Sequence, residues 1–526
     1  MNLLAGTGRL VRFHLRRDWF SLLCWIVGGV LLYYSQAASV QQLYPSQAKL
    51  DTAARAMAAN PAFVAMAGPA RALNTVGGQV AWQAGAFGEI LAGLMSMFLI
   101  GRHTRAEEES GRGELIRSYA GGRFAGVASA AVVVLIANVA LGAAIAGSLA
   151  GFGLPGAGSL ALGVAAALAG LVFGGVTLVA VQLTEGIRAA YGITGVALGA
   201  AYLLRAAGDV GNRTLSWLSP IGWGQQMRAF AGERWWPVSL SGAAVVVLAV
   251  AAAALFERRD AGAGVLPTRA GPASAGRQLS SGLGLAVRLQ RGSLIGWALA
   301  LLFAGLAYGS IGNDIGDLLG DSELSQDIFV QGGASMADSF YATSALMLAL
   351  IASGFAVASA LRARAEEAAR RVEPLLATAL SRWRWAAAQA LVSAVGAVIV
   401  VLASGVGLAL GYGLVTGEWA QTGRLLTAPL PYLAAVWCLV GFTWLAYGLA
   451  PRVATVGWLG LGFCAVVMLF AQLLRFPQWV REISPFTHLP MVPADSFALG
   501  PVLVVTAVAI ALIAAGVVAL RRRDIA

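Results

Sequence analysis

The sequence is short of charge. Only 12% of its 526 residues are Asp, Glu, Lys or Arg, and 58% are apolar; soluble domains carry about 25% charged and about 45–50% apolar residues. Too few charges remain to solvate a set of soluble domains, and the apolar content excludes disorder. Lysine is almost missing, with Lys49 alone against 35 arginines. A phosphate-binding loop Gly-x4-Gly-Lys-[Ser/Thr] is thereby excluded, because Lys49 follows Tyr-Pro-Ser-Gln-Ala. The three cysteines, Cys24, Cys438 and Cys464, lie far apart in apolar runs and exclude a disulfide framework. The three histidines, His14, His103 and His488, have no Cys or Glu neighbour at ligand spacing, so they are expected in loops or at interfaces and no metal site is expected. No Gly-x-Ser-x-Gly elbow sits between a strand and a helix. An enzyme reading has no catalytic cluster to stand on.

What the sequence has is apolar length. Runs of the ~20 residues needed to span a bilayer cover 19–48, 72–101, 124–184, 189–204 and 235–256, then 292–313, 339–361, 385–417, 425–451, 453–474 and 496–520. The run 124–184 is broken by Gly-Phe-Gly-Leu-Pro-Gly at 151–156, a turn signal, and reads as a hairpin of two helices. The fold class expected is an all-α polytopic membrane protein of twelve transmembrane helices. With both termini inside, the inner segments hold 26 of the 36 basic residues, the positive-inside bias. The segment Asp314–Asp338 holds six acids and no base and belongs outside, as does Lys49–Arg71. The basic residues come in short groups between apolar runs, so they report topology and not nucleic-acid binding.

The two halves repeat. Arg105-Ala106-Glu107-Glu108 returns as Arg364-Ala365-Glu366-Glu367, and at the same offset Arg112, Glu114, Ala120 and Arg123 match Arg371, Glu373, Ala379 and Arg382. Arg258-Arg259-Asp260 returns as Arg522-Arg523-Asp524, and Arg16 and Trp25 as Arg288 and Trp297. Residues 1–256 are then a first six-helix repeat with an N-terminal amphipathic helix, 257–282 a cytoplasmic linker and 283–526 a second repeat. The repeats run parallel because six is even, an arrangement found in transporters.

The charged signature kept in both copies, Arg105, Glu107, Glu108, Glu109 and Glu114 with Arg364, Glu366, Glu367 and Glu373, is either a self-paired solvated helix or a docking surface. Its Glu-to-Arg pairs at i,i+4 suit a helix, and two equivalent surfaces suit a symmetric partner such as a dimer. Inside the spans Glu89 and Asn138 are the polar candidates for a substrate pathway, since a carboxylate near the midplane is costly unless it meets a cavity or a partner. Gly170/Gly174, Gly195/Gly199 and Gly407/Gly411 have the spacing of close helix packing.

Arg-Ala-Glu-Glu-x3-Arg-x-Glu-Pro-Leu-Leu-Ala-Thr-Ala-Leu-Ser-Arg-Trp-Arg-Trp at 364–385 resembles the inner loop of type-2 ABC exporter permeases. Leu218-Ser-Pro-Ile-Gly-Trp-Gly-Gln-Gln-Met-Arg228 and Gly232-Glu-Arg-Trp-Trp-Pro237 resemble the fused twelve-helix branch of high-GC bacteria linked to antibiotic or polyketide (tetronasin-type) efflux. The resemblance implies a transport subunit in the bacterial inner (plasma) membrane with both termini cytoplasmic. It also implies a separate ABC ATPase, presented as a dimer, docked on both inner loops. ATP and Mg would belong to that partner, with no cofactor on this chain, and the cargo would be a small hydrophobic or amphiphilic compound. Short amphipathic helices are implied near Gly8–Asp18 and Gly282–Arg291. The first copy departs from the pattern at Leu115, opposite Pro374, and Arg117, opposite Leu376. The alternative is an ion-coupled secondary multidrug transporter using Glu89.

Overall fold

A computed structural model describes residues 3–59, 64, 66–113, 121–211, 214–260, 262–266, 271, 273–310, 336–470 and 476–523. Glu114 and residues 311–335 of the acidic segment lie outside the described residues. The chain forms two compact units, Met1–Gly271 and Pro272–Ala526. Eleven helices among the described residues are long and apolar enough to cross a membrane. Large apolar side chains stand exposed on them, among them Val246, Val247 and Val250 in one unit and Leu503, Val504 and Ile510 in the other. Patches of that kind are rare on soluble monomers and suit lipid. This is a multi-pass membrane protein.

In the first unit α1 is Thr7–Leu43, α2 Gln47–Ala59, α3 Val76–His103 and α4 Arg105–Glu109. Then come α5 Ala125–Gly151, α6 Gly156–Leu183, α7 Ile187–Val210, α8 Pro220–Gln226 and α9 Pro237–Arg258. Thr75 caps α3 by accepting from the Gly78 amide at 3.0 Å, and Ser219 caps α8 with Pro220 in the first turn, where proline's missing N–H costs nothing. The hairpin at 151–156 forms as read, with α5 and α6 brought together where Gly142 and Gly163 each leave room only for the other's carbonyl. Gly8–Asp18 is not a separate amphipathic helix. It is the opening of α1, because nothing between Asp18 and Trp19 breaks the helix.

The second unit runs α10 Gly282–Gly309, α11 Met336–Ala368, α12 Val372–Leu376, α13 Arg382–Thr416 and α14 Thr422–Thr427. It closes with α15 Leu433–Leu449, α16 Val456–Phe470, α17 Gln478–Glu482 and α18 Leu499–Arg522. Gly282–Arg291 is likewise continuous with its helix. The run 425–451 is not one long helix. Pro429 and Pro431 remove amide donors and break it, leaving α14 and the 17-residue α15. Gly407 and Gly411 of α13 face Gly305 and Gly309 of α10, each fitted against the other helix's backbone. Among the described residues Gly195 and Gly199 have open space beside them and no helix packs on that pair; it lies on an exposed face of α7 with Val196, which is 74% exposed.

Candidate functional site

Thr104 interrupts the long α3 helix with φ −122° and ψ −90°, and the charged signature of the first half follows as α4. Each of its four charged residues reaches a different helix. Arg105, 1% exposed, donates to the carbonyls of Val181 at 2.7 Å and Ala263 at 3.0 Å, and to that of Thr184. The carbonyls closing α6 have no partner within their own helix. Glu107 takes Arg17 of α1 at 2.8 Å. Glu108 takes Arg105 at 2.7 Å and accepts a two-point fork from Arg259, just past α9, at 2.7 and 3.0 Å, the strong geometry for a carboxylate. Glu109 accepts from the Ile187 amide at 2.6 Å, where a carboxylate meets the positive start of α7. A five-residue helix gathers one end of the unit.

The second half keeps part of this plan. Glu367 accepts from Arg523, just past α18, at 2.8 Å and from the Tyr447 hydroxyl of α15 at 2.5 Å. Glu366 takes Arg362 at 2.6 Å and Arg371 at 3.4 Å. The equivalent pairs are therefore Glu108–Arg259 and Glu367–Arg523, each tying the end of the second long helix to the end of the last. The backbone repeats as well. Gly111 (φ 73°) and Arg370 (φ 54°) both take the left-handed conformation, with amides bonded to the Glu108 and Glu367 carbonyls at 3.1 and 2.8 Å, a common helix stop. Arg364 is half-buried, and Glu373 is exposed in the first turn of α12.

At mid-helix, Glu89 of α3 is buried and borders a cavity of about 50 Å³ shared with Arg71, Trp82, Gln225 and Arg228. That is space for a water or two. Gly224 lets α8 press against the carboxylate, since a Cβ there would strike it. Asn138 donates to Ser96 Oγ and the Val134 carbonyl, both at 2.8 Å, and faces Gly170, so it sits where α3, α5 and α6 meet.

The family model described as "Multidrug efflux system permease Rv1217c, C-terminal domain" matches residues 279–521. Over 528 aligned residues the chain is 41% identical to the multidrug efflux system permease protein Rv1217c of Mycobacterium tuberculosis (strain ATCC 25618 / H37Rv), covering 99% of this chain and 95% of that relative. The chain belongs to this family of multidrug efflux permeases.

The permease is a transport protein, and its polar machinery is partly invisible in the sequence. Arg259 and Arg523 were legible as a repeat but not as the partners of Glu108 and Glu367, because pairing across 151 or 156 residues has no local signature. The histidines differ more sharply from expectation. His14 and His103 are neither dispersed nor in loops: both are buried on helices with ring centroids 4.0 Å apart, since α1 and α3 pack side by side.

Proposed function

We propose that this permease is the membrane subunit of an ATP-driven ABC exporter. It would move a hydrophobic or amphiphilic compound, of the antibiotic or polyketide class met in tetronasin-type efflux, out of the cell. A separate ABC ATPase dimer binds ATP and Mg and docks on the two inner loops, around Arg105–Glu109 with Glu114, and around Arg364–Glu373. The observation that carries this reading is α4: a mechanical input there reaches α1, α6, α7 and α9 through hydrogen bonds made by its charged side chains. The internally paired glutamates act as braces, and exposed Glu373 is the residue left to meet the partner. Twelve spans with α15 as the tenth, both termini in the cytoplasm and residence in the inner membrane belong to the same proposal. Glu89 faces the cargo, with Asn138 behind it holding the helices that frame the path.

The test is purification of the tagged full chain in mild detergent from its own membranes. An ABC ATPase is expected to co-purify. Glu373→Arg is expected to weaken its retention and the substrate-stimulated ATP hydrolysis about tenfold, the equivalent of ~1.4 kcal/mol. Transport that persists without any ATPase and follows the proton gradient would instead support an ion-coupled carrier.

A further inference from the structure

We propose that His14, His103 and Glu107 form a binding site for a divalent transition-metal ion, zinc by its donor set, at the end of α1 and α3. The inference is independent of the exporter mechanism. One donor atom from each of the three lies within 4.8 Å of the other two, and all three side chains are buried. Two imidazoles and a carboxylate, with a fourth position open, are a common zinc donor set.

The hydrogen bonds show where the ion would sit. Arg17 Nη2 lies 2.9 Å from His103 Nδ1. A guanidinium only donates, so Nδ1 is the acceptor and the ring proton is on Nε2. That Nε2 lies 2.8 Å from Asp18 Oδ2, which places the carboxylate on the far side of the ring from Arg17. The chain Asp18–His103–cation is the carboxylate–histidine–metal arrangement that orients a zinc-binding imidazole, with the Arg17 guanidinium in the cation's place. The same guanidinium also reaches Glu107 Oε1 at 2.8 Å. The third donor, His14, has a buried Nδ1 with no hydrogen-bond partner. Arg17 is the one member able to leave, its side chain being 24% exposed while those of Asp18 and His103 are fully covered. Zinc would take the position of the departing guanidinium, and the donors would close around it to reach Zn–N and Zn–O distances of about 2.0–2.2 Å.

The second half underlines the difference. There Arg362 occupies the position equivalent to His103 and pairs directly with Glu366 at 2.6 Å, while Ala286 stands opposite His14. That half carries a built-in cation where the first half has an exchangeable one. The site would therefore act on one half only, fastening α1 to α3 beside Glu107.

Zinc uptake by the purified full chain, measured by competition with a chromophoric chelator and with zinc alone as the probe, tests this. One zinc per chain is expected. His14→Gln and His103→Gln are expected to abolish the site, and Asp18→Asn to weaken it about 10–100-fold. Arg17→Gln is expected to tighten it about tenfold or more, by removing the competing charge. Cobalt should give the visible absorption of a low-coordinate nitrogen–oxygen site in the native chain and not in His14→Gln. Equal zinc uptake by the native chain and the histidine variants, or no gain in Arg17→Gln, overturns the proposal. Where a histidine variant yields no folded protein, Arg17→Gln decides alone, since a purely structural ion network would lose stability there without gaining zinc affinity.

Discussion

A carboxylate in a membrane bundle is defined by what surrounds it, and six of the described glutamates show three environments. Glu107, Glu108, Glu366 and Glu367 are paired with arginines, Glu373 faces solvent, and Glu89 borders a small cavity. Of these, Glu89 is the one that borders a cavity within the helices. Glu89→Gln keeps its shape and removes its charge. Resistance to cationic compounds is expected to fall, with a loss of about tenfold in apparent affinity, the scale of ~1.5 kcal/mol for a hydrogen bond to a charged group. Drug-susceptibility assays at matched expression check this, and unchanged resistance would return Glu89 to helix packing.

The helices themselves were largely written in the sequence, because the length of an apolar run is a direct signal of a span. The hairpin at 151–156 was legible for the same reason. The break in the run 425–451 was not, although Pro429 and Pro431 were in plain view: total apolarity outweighed the two missing amides. Small-residue pairs were legible only as spacing. Gly407 packs against the Leu302 carbonyl of α10, while Gly195 faces open space, and nothing local separates the two cases. Their substitutions are expected to diverge. Gly407→Ala should cost about 1–3 kcal/mol through forced helix separation, whereas Gly195→Ala should be neutral or stabilising by up to ~1 kcal/mol through helix propensity. Thermal unfolding of the detergent-purified variants, followed by loss of monodispersity, measures both. Of the candidate site, the charged signature was legible because it occurs twice. The histidine pair was not, because its members are 89 residues apart and meet only through the packing of α1 on α3.

At the scale of the whole chain, the charge asymmetry makes a strong statement about orientation, and contacts within each unit keep the ends separate. In the first unit Arg17, Glu107 and Arg259 share one end, while Arg71 meets Gln225 and Gln226 at the other. In a cysteine-free background, a single cysteine at Asp321 is expected to react with an impermeant reagent on intact cells and one at Ala369 to react only after permeabilisation; labelling of Ala369 from outside would invert the topology. The fastening of each half at its own last helix has a consequence for how such a chain is put together. Arg259, the carbonyls of Gly262 and Ala263, and the bonds from Val265 and Leu266 to Gln182 and Leu183 all belong to the first unit, so the start of the linker from 257 to 266 is tied to the half that precedes it. A break in the chain between 267 and 276 severs none of these bonds. A first half made as a separate chain ending in that stretch would therefore keep every one of these ties.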